Sequence, residues 1–529
     1  YPPFHLVLTL LAGAVLCGGA LLVLPRGPKL PSAARSVLAG VLCGSVFCLA
    51  ATHLFHEGDL RRRAVTGQLS VERLIHLVQA AADLDGDGVS PLLGGGDCDD
   101  LSASINPLRR DLPGNHVDED CDGRDSTEAE VRQAALAWQA HGDASFDAGS
   151  NARRLREAAA TGHILLITVD ALRRDHALDD HGALLLPSLQ VLPGPAVTAT
   201  RAMAPGTTTQ LSLPAMLTGR FDYDNARSSL VLDLRREGVD TLLVTHRAVL
   251  DQLAQGNFGE SYPPFDVSSH FDRVIGVGPA AGEGWGGGIT RGSTGEMLEA
   301  FLAAWDGMGS GRRFCWLHFF DPHQWNQLEE VQHLDGPKDR YRAVLAEVDR
   351  AVRQVLGELL RRGDGERLLI LFSSDHGEGL GDRNIRYHTK LAYGVLAEVP
   401  LLLWARGLQP RLLDTPVSLM DLRPTLHALV TGRPCAECEG CSLVGAFDDP
   451  SWTRPAPILI SEYYQQAVVS GTLKLIVDRF SHTMELYDLA ADPLETMDLS
   501  RRQPDELARL LGLLKASPHY REPEGRALR

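Results

Sequence analysis

A chain of 529 residues, 44 % hydrophobic and 22 % charged, has room for roughly two to four domains and a globular composition, which excludes wholesale disorder and fibrous repeats. Its 51 basic and 68 acidic residues leave a net charge of −17, so a dedicated nucleic-acid binder is excluded and no nucleic acid is expected as a partner. The acid is concentrated: eleven aspartates fall within residues 83–125.

Beginning at Tyr1 rather than Met, the chain reads as a piece of a longer precursor. Phe4–Leu24 and Val37–Phe55 are apolar runs, each of the roughly 20 residues needed to cross about 30 Å of hydrocarbon. The short loop between them carries Arg26, Lys29 and Arg35 and no acid, so residues 1–58 are expected to form a transmembrane hairpin with that loop inside. Arg61, Arg62 and Arg63 argue for the opposite orientation, but the cysteines described next favour an exterior location for the rest. The membrane is therefore an expected partner, with the remaining chain on the periplasmic or extracellular side of a bacterial-type cell membrane. A linker helix is expected over 59–80.

Residues 81–126 form an Asp/Cys-rich segment. Asp83-Leu84-Asp85-Gly86-Asp87-Gly88 alternates hard oxygen donors and then turns at glycine, as a calcium loop does. The twelfth loop position is Gly94 rather than Glu, so this is not an ordinary EF-hand. A second D-x-D-x-D-G follows at Asp118, Asp120 and Asp122. Asp83, Asp85, Asp87, Asp97, Asp99, Asp118, Asp120, Asp122 and Asp125 are the candidate ligands of structural calcium. Cys98 and Cys121 flank the cluster symmetrically, which suggests a disulfide and an oxidising compartment. The segment resembles the Asp/Cys-rich metal-binding repeats of secreted bacterial proteins.

A helical linker is expected over 127–157, followed by a catalytic domain over 158–450. There, apolar runs alternate with amphipathic stretches: strands at His163–Val169, Thr241–Thr245, Phe314–Phe320, Leu368–Ser374 and Val399–Trp404, and a long helix at Lys338–Arg362 with Leu345, Val348, Val352, Val355 and Leu359 on one stripe. This predicts an α/β fold, a mostly parallel sheet sandwiched by helices. Cys435, Cys438 and Cys441 lack a nearby fourth ligand and predict one short disulfide and one thiol rather than zinc, and Cys315 is expected to be a buried thiol. Residues 451–529 read as a small C-terminal α+β subdomain.

Two of these strands end in acids: Asp170, and Asp375 with His376. Ligands bind beyond the carboxyl ends of strands in open α/β sheets, so these three residues make a metal shell there. Thr207, Thr208 and Thr209 precede an apolar helical turn, where a hydroxyl beside a divalent metal becomes a nucleophile.

The order V-D-A-L-R-R-D-H, T-x-x-S-x-x-x-x-L-T-G-R, D-P-H, S-D-H-G-E, H-x(4)-Y and V-P-L over about residues 160–515 resembles the sulfatase family of the alkaline phosphatase superfamily. Glu485-Leu486-Tyr487-Asp488-Leu489 and Asp492-Pro493-Leu494-Glu495 agree with it. The resemblance implies Asp170, Asp375 and His376 as metal ligands, with Thr209 as both ligand and nucleophile. It also implies His388 and His323 as residues that hold substrate oxygens or protonate the leaving group. Lys390, one of only five lysines, is a further catalytic candidate.

One departure sets the subclass. Formylglycine sulfatases need C-x-P-S-R or S-x-P-S-R, and this window reads Thr209-Gln210-Leu211-Ser212-Leu213. Threonine nucleophiles occur in relatives acting on phosphate esters, some of them membrane-anchored. The expected function is therefore a membrane-anchored, metal-dependent hydrolase or transferase of phosphate esters working through a covalent Thr209 intermediate. The alternatives are a sulfatase with an atypical nucleophile and a catalytically inactive, membrane-tethered scaffold. The substrate is a phosphate or sulfate ester, with a lipid head group or a glycan as its carrier. With a single acid in V-D-A, one divalent metal is expected; Zn or Mn suits three oxygens and an imidazole best, with Ca or Mg as alternatives.

Overall fold

The computed structural model describes residues 82–92, 96–139, 149–179, 181–223, 228–256, 262–279 and 289–522. The hairpin expected over 1–58 and the linker helix over 59–80 lie outside them. Among the described residues no helix is long and apolar enough to cross a membrane. The chain divides into two compact units: one built on residues up to Asp125 with Phe480–His482, the other on Ser126–Arg479 and Thr483–Glu522.

In the larger unit every residue of β1 (His163–Val169) is buried. Successive side chains of a strand point to opposite faces, so Ile164 and Leu166 enter one core while Leu165, Ile167 and Val169 enter the other. A continuous apolar run is the signature of a strand covered on both faces. β2 (Val197–Met203), β3 (Asp240–His246), β4 (Arg273–Val277), β5 (Arg313–Phe319), β6 (Leu368–Ser373), β7 (Glu398–Trp404) and β8 (Arg411–Leu413) complete the sheet, in the order β4-β3-β5-β1-β6-β7-β2-β8, with β9 (Val417–Ser418) also on β2. Pairing is parallel except that β7 runs against both β6 and β2. β2 carries Thr198, Thr200 and Arg201 among small apolar residues and is bulged between Ala199 and Ala202, so no apolar run marks it in the sequence.

The helices cover both faces. α1 (Glu128–Ala137) opens the unit with a Thr127–Glu130 capping box. α2 (Ser150–Thr161), α3 (Thr209–Thr218), α4 (Leu230–Arg236), α5 (Arg247–Gln255) and α8 (Leu422–Thr431) contribute to one core. α6 (Thr294–Asp306) and α7 (Pro337–Arg361) contribute to the other. α7 starts at Pro337, whose missing N–H is harmless in a first turn, and buries the whole expected stripe of Leu345, Val348, Val352, Val355 and Leu359. Within 127–157, expected as a helical linker, Trp138 Nε1 donates to the Leu513 carbonyl at 2.8 Å, at α9 (Pro504–Ala516).

The carboxy-terminal part forms a second, antiparallel sheet of β10 (Ile458–Ser461), β11 (Gln465–Ser470), β12 (Leu473–Asp478) and β13 (Met484–Asp488). It belongs to the same compact unit as the main sheet. A disulfide joins Cys435 to Cys438, and Cys441 and Cys315 are buried outside any disulfide, as the spacing predicted.

Candidate functional site

The site forms where β1, β5 and β6 end side by side. Asp170 follows β1 and donates its N–H to the Phe319 carbonyl at 2.8 Å. Beyond β6, the Ser374 hydroxyl accepts the Leu172 N–H at 2.9 Å and lies 2.6 Å from the Val169 carbonyl, stitching the two strand ends together. Ala171 takes a left-handed φ of 57°, unusual for a residue with a Cβ. It is held there by its N–H on Asp375 Oδ1 (3.2 Å) and by Tyr341 OH on its carbonyl (2.9 Å). The turn aims Asp170 at Asp375.

Asp170, Asp375, His376 and His318 are all fully buried. Asp375 Oδ1 also accepts the His376 N–H at 2.9 Å. Asp170 Oδ1, Asp375 Oδ2 and His318 Nε2 are buried with no hydrogen-bond partner. His376 Nε2 lies 3.7 Å from Asp170 Oδ1 and 3.5 Å from Asp375 Oδ2. Its Nδ1 donates to the Gly377 carbonyl at 2.9 Å, which leaves the Nε2 lone pair facing the carboxylates. Burial, and then the charge of Asp375, push the Asp170 carboxyl above its usual range.

Two buried carboxylates facing each other call for a cation. Donors held at about 2.1 Å from one ion stand about 3.4 Å apart at a tetrahedral angle, close to the separations here. The residues present fit a divalent metal.

Thr209, the first residue of α3, is 3 % exposed and brings its hydroxyl to 3.2 Å from His376 Nε2 and 3.4 Å from Asp170 Oδ2. Ser212, one turn on, donates to the Asp375 carbonyl at 2.6 Å and pins the helix to the strand end. The neighbouring threonines point elsewhere: Thr207 donates to the Thr389 carbonyl at 2.7 Å, and Thr208 to Glu462 Oε1 at 3.1 Å. Glu462, fully buried after β10, also accepts the Thr207 N–H at 2.5 Å and the Tyr262 hydroxyl. Sequence reading missed Glu462, because its place beside the threonines comes from the second sheet.

The histidine rings lie in a row, tilted against one another. His388 lies 4.7 Å from His376 and 4.5 Å from His323, ring to ring, and His323 lies 4.8 Å from Phe320. His388 Nδ1 is 3.4 Å from the buried Glu378, which accepts Trp325 Nε1 at 3.0 Å and the Gly379 N–H at 2.8 Å. Burial pulls His388 down, but the Glu378 hydrogen bond and charge outweigh it and raise its pKa to about 9. Burial, then the neighbouring His388, His376 and His318, hold His323 well below the usual range. The two imidazoles therefore differ in protonation at neutral pH, one a donor acid and the other neutral. A cavity of about 440 Å³ opens over Thr209, His323 and His388, with Gln324, Tyr387 and Lys390 on its wall. The Lys390 ammonium sits 5.7 Å from the Tyr463 ring centroid, and desolvation lowers its pKa.

In the smaller unit Cys98 and Cys121 form the expected disulfide. Asp83, Asp85 and Asp87 converge, as do Asp111, Asp118 and Asp120, the donor atoms within each group lying within 4.8 Å of one another. Asp83 accepts the Gly86 N–H at 2.7 Å and the Gly88 N–H at 3.1 Å, both glycines at positive φ. Asp118 makes the equivalent bonds to Asp122 and Gly123. Asp97 is 7 % exposed, and its Oδ2 has no hydrogen-bond partner. Asp97, Asp99, Asp122 and Asp125 lie outside both groups. Asp125 instead accepts the Gly114 and His116 N–H groups at 3.0 and 2.6 Å, while Asp111, absent from the expected ligands, takes its place.

Comparison with known proteins places the chain among relatives of known family. The family model described as Sulfatase matches residues 162–432. A second model, named for Cu-binding MopE and described as a metal-binding motif, matches residues 97–126. The choline-sulfatase of Rhizobium meliloti (strain 1021) is 31 % identical over 171 residues, 30 % of this chain and 32 % of that protein. Arylsulfatase K of Gallus gallus is 26 % identical over 196 residues, 34 % of this chain and 36 % of that protein. The chain thus spans about a third of the length of the curated relatives it matches. Among solved structures, the phosphonate monoester hydrolase of Agrobacterium radiobacter has a TM-score of 0.52 at 18 % identity, covering 66 % of this chain and 94 % of that one. BT4656, solved with D-glucosamine-2-N,6-O-disulfate, has a TM-score of 0.52 at 14 % identity, covering 66 % and 97 %. At these identities the two solved structures establish the fold alone.

Proposed function

The chain belongs to the sulfatase family, and from that premise we propose that it is a metal-dependent hydrolase or transferase of phosphate esters that works through a covalent Thr209 intermediate. The observation that carries this reading is the Thr209 hydroxyl, buried against His376 and Asp170 where a formylglycine would otherwise be needed. Asp170, Asp375, His376 and Thr209 would hold the metal. A divalent cation bound there would neutralise the paired carboxylates, acidify the threonine hydroxyl and polarise the ester; Zn or Mn suits this donor set better than Ca or Mg.

α3 presents Thr209 Oγ, its proton given up to solvent through the open cavity, for attack on phosphorus, and Ser212 keeps that helix in register with Asp375. His388, held protonated by Glu378, gives its proton to the leaving oxygen, and neutral His323 beside it binds an ester oxygen. Lys390, on the cavity wall, adds positive charge toward the ester's carrier, a lipid head group or a glycan. Water or an acceptor alcohol then releases the group from Thr209.

A second reading, sulfate-ester hydrolysis by the same threonine, is favoured by the choline-sulfatase and arylsulfatase relatives. One experiment separates the readings. The purified protein, loaded with Zn or Mn, is assayed on aryl phosphate mono- and diesters and on aryl sulfate, beside Thr209→Ala. Phosphate-ester turnover that falls by about 10⁴-fold or more in the variant is expected for a lost nucleophile. Sulfate-only turnover moves the assignment to a sulfatase, and no turnover with either metal leaves a membrane-tethered scaffold.

The same proposal places the enzyme on the periplasmic or extracellular side of the membrane, anchored by residues 1–58. The two apolar runs and the Cys98–Cys121 pair support this. Structural calcium is proposed for the Asp-rich unit, whose donors are all carboxylates.

A further inference from the structure

We propose that His318 is a ligand of the catalytic metal. The inference rests on the reading that a divalent cation sits between Asp170 and Asp375. At the strand ends Asp170, His318 and Asp375 each bring one donor atom within 4.8 Å of the other two. His318 Nε2 lies 3.6 Å from Asp170 Oδ2, too far for a hydrogen bond and close to the spacing of two donors on one ion. That nitrogen is fully buried and has no hydrogen-bond partner, a state that costs free energy unless something else engages it.

The ring is also fixed from behind. His318 Nδ1 lies 2.7 Å from the Thr168 hydroxyl, and Trp316 Nε1 donates to the same oxygen at 2.8 Å. Indole N–H is only a donor, so Thr168 Oγ accepts it and has one proton and one lone pair left. When Nδ1–H donates into that lone pair, Nε2 turns its own lone pair toward the carboxylates. This is the outer support that metal-bound imidazoles receive. The register of the sheet enforces it, since Thr168 and His318 are paired residues of β1 and β5.

Ala171, which follows Asp170 directly, offers no side-chain donor. The two imidazoles divide the Asp170 carboxylate between them, His318 approaching Oδ2 and His376 approaching Oδ1. The donor set becomes two imidazoles, two carboxylates and Thr209. Two nitrogens shift its preference away from Ca and Mg and toward Zn.

The test uses the full chain stripped of metal and reloaded with one equivalent of Cu²⁺, read by electron spin-echo modulation, which counts coordinated imidazoles. All-carboxylate sites elsewhere contribute no such signal. Wild type should show two imidazoles, and His318→Phe and His376→Phe one each. Zn²⁺ affinity in His318→Phe should fall by more than the 10- to 100-fold that loss of an outer-shell partner costs. In His318→Gly, free imidazole should restore part of it, which a purely structural role would not allow. A single imidazole in wild type, with His318→Phe unchanged in signal and affinity, overturns the proposal and leaves the metal reading intact. A signal unaltered by Asp170→Asn overturns the metal reading itself. If the His318 variants fail to fold, Thr168→Val keeps the ring and removes its support: a 10- to 100-fold loss of Zn²⁺ affinity is expected, and an unchanged affinity overturns the proposal.

Discussion

The chain builds two kinds of carboxylate cluster, and they solve the same problem differently. In the larger unit Asp170 and Asp375 are fully buried and aimed at each other by strand ends and by a left-handed turn at Ala171. In the smaller unit Asp83 and Asp118 are shaped by turns of their own segments, each accepting two N–H groups from residues three to five positions on. The first cluster is held open by a sheet that does not depend on it. The second is held by backbone turns with little core behind them, so its metal is expected to supply folding free energy. Rigidity in one case comes from packing, in the other from the ligand.

The largest effect should follow from Asp170→Asn. Metal at the catalytic cluster should be lost and turnover should fall by more than the roughly 100-fold typical of an outer-shell change. The same substitution should raise the melting temperature of the metal-free protein. Asp170 is pushed above its unfolded value, so the folded state binds the extra proton, and the strain is fully present once pH exceeds the folded pKa; the amide removes it. Calorimetry of metal-free wild type and variant at pH 7 decides this, and a lower melting temperature in the variant would mean that the carboxylate serves mainly as a structural acceptor. Asp85→Asn, at a carboxyl that is only partly buried and is also pushed up by burial, should shift metal-free stability in the same direction and by less.

Calcium removal is the next step down. At a hundredfold excess over its dissociation constant, calcium should stabilise residues 83–125 by about 2.7 kcal/mol. A calcium-selective chelator should therefore lower a melting transition of this segment and leave aryl-ester turnover unchanged. A transition insensitive to the chelator would place the segment's stability in its disulfide and turns.

The smallest effect is in pH. Burial raises Asp97 to about 6, with its own hydrogen bond from Asp99 opposing and the charges of Asp87, Asp85 and Asp100 adding. Calcium needs the carboxylate form, so affinity should be full above about pH 6 and fall as acid passes through it, where ordinary carboxylates would hold to about pH 4. Metal-free, the sign reverses: the raised pKa makes the folded segment less stable above pH 6 and more stable as Asp97 protonates. Calcium titrations at pH 5 and pH 7, with Asp97→Asn as control, read both.

How much of the site could be read in advance follows from where each residue's neighbours come from. Asp170, Asp375 and His376 were legible because an apolar run ending in an acid places that acid at a strand's carboxyl end. Thr209 was legible only through the family resemblance, by counting back from Leu217-Thr218-Gly219-Arg220, and the structure turns its hydroxyl, not that of Thr207 or Thr208, toward the cluster. His318 was not legible. It sits inside the run Arg313–Phe319 as one polar residue in an apolar strand, and only the parallel register of β5 with β1 sets it beside Asp170. Glu462, Glu378 and Asp111 were missed for the same reason: each acts across a turn or between sheets.

By itself, then, the sequence determined the alternation of strand and helix, the ends at which acids emerge, the run of threonines that opens α3, and the Cys98–Cys121 pairing. Those are local properties, encoded by hydrophobic period and short spacing. Strand order, the β1–β5–β6 neighbourhood, the row of histidine rings and the pinning of Thr207 and Thr208 by Glu462 were decided only by the tertiary structure, because each joins residues far apart in the chain whose side chains carry no mark of their partner.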